Sequence, residues 1–283
     1  RSQCDSIMNE QGVANYDRYM ALSSRDYNGL AGNLVGTARS FGNAKSDKAY
    51  ERSYVGMVAG FDTYKMDYAN RLTAAAGGGA ITIDTSGAGT QANYLPQATS
   101  TAVGGQINVD NRFQSVTVSS TAGVAAGDAF KIDGVFAVHH ITKQSTGQLK
   151  TFRVVSVTNG TTMVITPPII GAQAPATDAQ LQYKNVEVTT PSNTAAITFL
   201  NANTAQVNVF WQRDSLEILP GRYAVPSDAG VAVMRASTDQ GIELVMQKFY
   251  DIDSMTIKYR LDTLFGVVNK QPEMSGVILF SQT

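Results

Sequence analysis

His139, His140 and Cys4 are the only histidines and cysteine in this chain of 283 residues. Metal sites and Cys–His catalysis need such side chains in convergent sets. Adjacent residues on a strand project to opposite faces, so His139 and His140 on the expected strand Val135–Thr142 cannot chelate one ion together. A single cysteine allows neither an internal disulfide nor a thiolate cluster. Asp251 and Asp253 would share a face if extended, but two carboxylates fall far short of the six to eight oxygens that calcium takes; a turn ahead of the next strand is their simpler use. Gly87-Ala88-Gly89-Thr90-Gln91-Ala92 fits a loose dinucleotide fingerprint by letter, after the β-like Ala80–Ile83. That fingerprint needs a helix directly behind its glycines, and here Pro96 and small polar residues follow. Asn159-Gly160-Thr161 spells a glycosylation sequon, with no signal-peptide pattern to accompany it. No HExxH, P-loop or GxSxG string occurs. The reading is of a non-enzyme: no catalytic residue, no cofactor site and no metal site.

The elements that would carry these residues are mostly strands. Between Asn108 and Pro168, Gln114–Ser119 alternates with Val116 and Val118 on one face. Ala129–Ile132 alternates again and meets Asp133-Gly134, a two-residue hairpin signal, because type I′ turns need positive φ twice. Val135–Thr142 is the expected return strand and Leu149–Val157 the next. Asn159-Gly160 turns the backbone into Thr161–Thr166, which Pro167-Pro168 ends. Short strands with turns about every ten residues read as an all-β barrel or sandwich, with Val186–Thr189 a sixth strand candidate. Ahead of it, Ser2–Gly12 and Arg25–Leu34 are helix candidates, the latter capped by Ser23 or Ser24. Lys45–Arg52 is a further short helix candidate, and Tyr54–Tyr64 reads as extended. Behind it, Gln206–Gln212, Leu216–Leu219 and Val277–Phe280 read as strands. Met255, Ile257, Tyr259 and Leu261 alternate with polar residues, the period of a half-buried strand.

Hydrophobic residues make up 43% of the sequence, charged ones 16%, and the net charge is −1, so a sizeable core is available with little charge around it. Basic and acidic residues are interspersed: seven against seven over 1–62, eight against seven over 63–200, and seven against nine over 201–283. No stretch has the basic stripe that tight nucleic-acid binding requires. No apolar run is long enough to span a membrane. Leu72–Val109 holds one charged residue, Asp84, and seven glycines. Two readings stand: a loop over the surface, or a docking loop kept uncharged because it meets another surface.

Several strings, in order along the sequence, resemble the coat protein of short-tailed phages of the Salmonella P22 type: Val58-Ala59-Gly60-Phe61-Asp62, Val109-Asp110-Asn111-Arg112-Phe113, Gly127-Asp128 with Gly134-Val135, Ile165-Thr166-Pro167, Asn208-Val209-Phe210-Trp211, and Gln271-Pro272-Glu273 with Gly276-Val277. The resemblance implies an α+β, β-rich subunit of the Hong Kong 97 type, interrupted by an inserted antiparallel β-barrel. It would place a first axial part at 1–62, the barrel at 63–200, a second axial part at 201–250 and peripheral strands at 251–283. The family's N-terminal arm, long hairpin loop and spine helix have no counterpart, and Arg1 is expected to fall midway through the fold.

The implied function is that of a major capsid protein, assembling as pentamers and hexamers into an icosahedral virion shell around double-stranded DNA that it does not bind specifically. Scaffolding protein and portal are implied partners, and the host cytoplasm is the implied place of assembly. In that family a loop of the insertion reaches a neighbouring capsomer across a two-fold axis with charged residues. Its counterpart falls within Gln97–Gln106, which makes Gln97, Thr101, Val103, Gly104, Gly105 and Gln106 the expected subunit-interface residues. The segment is uncharged, so a bridge here must use backbone hydrogen bonds, the two glutamines and Val103; the alternative is a short loop that does not bridge. Two other functions stand behind this one. One is a tail, fibre or head-decoration protein that binds host or shell surfaces; a decoration protein should fold alone as a compact barrel, and the flanking short helices and isolated strands need partners. A hydrolase would need two convergent carboxylates in a pocket.

Overall fold

The computed structural model describes residues 2–37, 48–49, 51–76, 81–85, 94, 98–102, 104–171, 178–188, 191–224 and 232–280. The protein forms two compact units, Arg1–Phe210 with Gly276–Thr283, and Trp211–Ser275.

The first unit opens with α1 (Ser2–Glu10), β1 (Arg18–Ser23) and α2 (Ser24–Thr37). Ser23 is the N-cap of α2: its Oγ accepts from the Asp26 N–H at 3.2 Å and donates to Asp26 Oδ2 at 2.8 Å, while its own N–H donates to Asn208 Oδ1 at 2.7 Å. The extended segment from Tyr54 resolves into β2 (Met57–Val58) and β3 (Phe61–Met66). Ala59 and Gly60 sit between the Val58–Phe61 pair with φ of 51° and 80°, the doubly positive φ of a type I′ turn. β3 runs parallel to β1, and β12 (Ala205–Gln212) and β18 (Ser275–Leu279) extend the sheet in the order β18-β12-β1-β3-β2. Met20 and Leu22 on the central β1 are fully buried. Arg18 is buried as well. Its guanidinium donates to Ala14 O at 2.9 Å, Val13 O at 2.6 Å, Asn9 Oδ1 at 2.8 Å and Asp5 Oδ1 at 2.5 Å, and so ties the carbonyls beyond α1 to the sheet.

The second layer of this unit is the barrel. Its strands are β7 (Gln114–Thr117), β8 (Ala129–Val138), β9 (Ser145–Val157), β10 (Thr162–Thr166) and β11 (Ile197–Phe199), in the order β11-β8-β9-β10-β7. The segment 81–84 closes the ring. Ile83 N–H donates to Ala195 O and Ile197 N–H to Ile81 O on one margin, while Asp84 N–H donates to Thr117 O and Ser119 N–H to Thr82 O on the other. Closure removes both sheet edges. Val186, the expected sixth strand, makes only an isolated bridge to Ala137. Phe130, Ile132, Val135, Phe152, Met163 and Ile165 fill the interior at 0–1% exposure.

Asp133-Gly134 makes no hairpin. β8 runs straight through it with a register shift between Lys131 and Phe136, and Gly134 has φ of 74°. Inward positions change parity there, from Phe130 and Ile132 to Val135 and Ala137. The positive φ that resembles a turn signal serves an extended β-bulge: β8 takes five steps from Lys131 to Phe136 while β9 takes two from Thr151 to Leu149. The true β8–β9 turn lies at 139–144, which takes His139 and His140 off any strand. The second expected turn is in place: Thr158 N–H donates to Thr162 O at 2.9 Å. A short helix, α3 (Asp178–Tyr183), follows the barrel strands.

The backbone leaves and re-joins the open sheet side by side, where β4 (Arg71–Leu72) pairs antiparallel with Ala205 and Gln206 of β12. Beside this neck the buried Asn201 donates through Nδ2 to Asp128 Oδ1 at 2.8 Å and Thr73 O at 3.1 Å, and accepts from the Ala129 N–H at 3.3 Å. One asparagine thus fastens the outgoing segment, the returning segment and β8 together.

The second unit contains a ribbon of β13 (Leu216–Pro220) and β17 (Phe265–Asn269), and a sheet of β14 (Ala232–Ser237), β15 (Glu243–Asp251) and β16 (Thr256–Thr263). The period-two pattern from Met255 is a strand, but not a half-buried one. Ile257, Tyr259 and Leu261 are 51%, 62% and 67% exposed, on one face with Met234. The opposite face carries the pairs Arg235–Glu243, Lys258–Asp251 and Arg260–Asp262.

Candidate subunit interface

Within the uncharged stretch, β5 (Thr99–Ala102) and β6 (Gly105–Asn108) form a two-stranded antiparallel ribbon of their own. The register sets Thr99 opposite Asn108, Thr101 opposite Gln106 and Ala102 opposite Gly105. Gly104 and Gly105 have φ of 111° and 135°, conformations that glycine adopts without penalty. A Cβ at either would meet nothing within 4 Å, so backbone geometry alone demands glycine there. Thr99, Thr101 and Gly104–Asn108 are exposed.

The residues expected from sequence therefore sit as follows. Thr101 lies on β5, Gly104 in the turn, and Gly105 and Gln106 on β6; Gln97 and Val103 lie outside the described residues. The register groups Thr99, Thr101, Gln106 and Asn108 on one face of the ribbon, a row of hydroxyl and amide groups. Ile107, 60% exposed, is on the other face. Thr99, Ile107 and Asn108 join the candidates only through the structure. The alternation Gln106-Ile107-Asn108 is the signal in the sequence that extends the site by one turn of the pleat.

The ribbon's foot is fixed. Arg112 grips Asp110 through Nε at 2.9 Å and Nη2 at 2.7 Å, its own N–H donates to Asp110 Oδ1 at 3.0 Å, and its guanidinium lies 5.4 Å from the Phe113 ring centre. These hydrogen bonds hold the Asp110 carboxyl at about 2, below its usual 3.8. The Tyr94 hydroxyl donates to Asn111 Oδ1 at 2.7 Å, and burial and the Asp110 charge push its ionisation up. Thr166 Oγ1 donates to Arg112 O at 3.2 Å and the Ile169 N–H to Gln114 Oε1 at 2.7 Å. The charges nearest the ribbon are thus engaged with each other, and the ribbon itself offers backbone edges, hydroxyls and amides.

The other candidates do not converge. His139 Nδ1 accepts from the Ile141 and Thr142 N–H groups, both at 3.2 Å, closing its own turn, and His140 is exposed. Asp251 Oδ1 accepts from the Asp253 N–H at 3.2 Å and Oδ2 meets Lys258 Nζ at 2.6 Å, the turn role that sequence suggests; the lysine holds the Asp251 carboxyl below its ordinary value. The Gly87–Ala92 fingerprint lies outside the described residues. Among the described residues, no three His, Cys, Asp or Glu side chains gather as a metal site would require, and no helix is long and apolar enough to cross a membrane. An open cavity of about 430 Å³ lies beside β4, lined by Asp67, Tyr68, Ala69, Asn70, Arg71 and Gln206.

Two comparisons bear on these features. The family described as P22 coat protein, gene protein 5, matches residues 1–281. Among solved structures, the CUS-3 coat protein I-domain is similar at 36% identity, over 43% of this protein and 96% of that one, with a TM-score of 0.31.

Proposed function

The chain belongs to the P22 coat protein family, and from that premise we propose that its copies close into an icosahedral shell of pentamers and hexamers around double-stranded DNA. It is a phage major capsid protein, a structural component of the virion that assembles with itself. The observation carrying this is the family match over nearly the whole sequence, residues 1–281. In the proposed arrangement 63–200 is an insertion into a Hong Kong 97-type subunit, between axial parts 1–62 and 201–250, with 251–283 returning to the periphery. The side-by-side exit and return at β4 and β12 and the Asn201 knot support an insertion at that point. Scaffolding protein and portal are its proposed partners, the DNA is enclosed without specific contacts, and assembly takes place in the host cytoplasm.

The β5–β6 ribbon is the proposed bridge between capsomers. A two-stranded ribbon has two free outer edges, each a row of unpaired N–H and C=O groups. A two-fold axis relates a strand edge to an antiparallel copy of itself, so two ribbons facing each other can pair edge to edge with the same residues on both sides. That contact needs no charge, and Thr101 and Gln106 add side-chain hydrogen bonds on one face. Sedimentation and negative-stain electron microscopy of the full coat protein test the function: closed shells with one dominant subunit are expected, whereas stable monomers under all assembly conditions contradict it.

A further inference from the structure

Two Asn-Gly steps occur in the sequence, Asn28-Gly29 and Asn159-Gly160. All four residues are exposed, so access to water does not distinguish them; the backbone does. Asn28-Gly29 lies inside α2, where the i→i−4 pattern engages the Gly29 N–H with the Arg25 carbonyl. Asn159-Gly160 lies in the β9–β10 turn. There Asn159 Oδ1 accepts from the Thr161 N–H at 2.9 Å and from Thr161 Oγ1 at 3.3 Å. The ring closed by the first of these bonds contains the Gly160 nitrogen, so Asn159 Cγ curls back over that nitrogen. The Gly160 N–H has no hydrogen-bond partner among the described residues, and the space where a Cβ would stand is open.

We infer that Asn159 is a site of spontaneous deamidation in the folded protein and that α2 protects Asn28. The Gly160 nitrogen gives up its proton to water and bonds to Asn159 Cγ. The bond from Cγ to Nδ2 breaks and ammonia leaves, giving a five-membered succinimide. Water then opens either ring carbonyl to aspartate or isoaspartate, so one water is consumed, one ammonia released, and nothing is oxidised or reduced. The product adds a negative charge, and isoaspartate lengthens the backbone by one carbon. This falls where Thr121 Oγ1 donates to Asn159 O at 2.6 Å, Thr121 N–H to Gly160 O at 2.9 Å and Val118 N–H to Thr161 O at 2.8 Å. The modification therefore loosens the β7 seam of the barrel.

The test is peptide mapping by mass spectrometry of the whole protein aged in mildly alkaline buffer, folded and in concentrated urea, with aspartate and isoaspartate products resolved. In urea both steps should convert at the same rate. In the folded protein Asn159 should convert at least about fivefold faster than Asn28, the factor one net backbone hydrogen bond is worth. Gly160→Ala should suppress conversion at Asn159 and leave Asn28 unchanged. Equal folded-state rates at the two sites, or an Asn159 rate that folding slows about tenfold or more, overturns the inference.

Discussion

Replacing Asn201 by alanine removes the side chain that fastens the barrel to its two connecting segments. Asn201 and Asp128 are each 1% exposed, so water cannot take over the lost partners. Three hydrogen bonds go: one to the Asp128 carboxyl group, one to the Thr73 carbonyl and one from the Ala129 N–H. At about 1 kcal/mol for each neutral bond and roughly 1.5–3 kcal/mol for the bond to an acidic group, the expected loss is about 3–5 kcal/mol. Because the protein folds as two units, a single global transition is the wrong observable. Native-state hydrogen exchange resolved by segment is the right one. Amides of β8, β9 and β10 should lose about 3–5 kcal/mol of opening free energy, while those of β14–β16 stay unchanged. A cycle with Asp128→Ala should return a coupling of roughly 1.5–3 kcal/mol. A barrel loss under about 1 kcal/mol, or additive single and double variants, would refute the knot.

Arg18→Met should cost roughly 3 kcal/mol of opening free energy for the amides of β1 and β3 by hydrogen exchange, since it strands the Val13 and Ala14 carbonyls and Asn9; the partly exposed Asp5 adds little. Asp110 is depressed in the folded state, so the Asp110–Arg112 contribution is full above the unfolded value of 3.8 and fades as pH falls through about 2; carboxyl-carbon NMR should show that low midpoint, and Arg112→Ala should return it to the ordinary range. Gly104→Val with Gly105→Val strains two positions of positive φ that touch nothing else; hydrogen exchange of the barrel should be unchanged while shells assemble less completely in sedimentation.

Where a residue's role depends on its immediate neighbours, it is legible in the sequence. The capping Ser23, the Asn159-Gly160 turn and the alternation from Met255 all appear as caps, turns and strands where local pattern puts them, whereas Tyr54–Tyr64, which reads as one extended stretch, folds as a hairpin over Ala59-Gly60. Asp133-Gly134 misleads because a bulge and a type I′ turn ask for the same positive φ, and only long-range pairing with β9 and β11 decides between them. The ribbon reads as loop because Thr99–Asn108 lacks the large alternating apolar residues that mark strands packed on a core. Ala80–Ile83 reads as β-like, but its part in closing the barrel is not legible, because a short segment becomes a stave only through two sets of distant partners. The exposed face of Ile257, Tyr259 and Leu261 shows the limit of periodicity, which fixes the face and not whether anything covers it.

Cryo-electron microscopy of assembled shells, at a resolution that traces strands, tests the bridge most directly. The expected map shows the β5–β6 ribbons of adjacent capsomers meeting at the two-fold axes, with backbone density paired edge to edge through Thr99–Asn108. Ribbons ending in solvent, with the capsomers joined elsewhere, would contradict it.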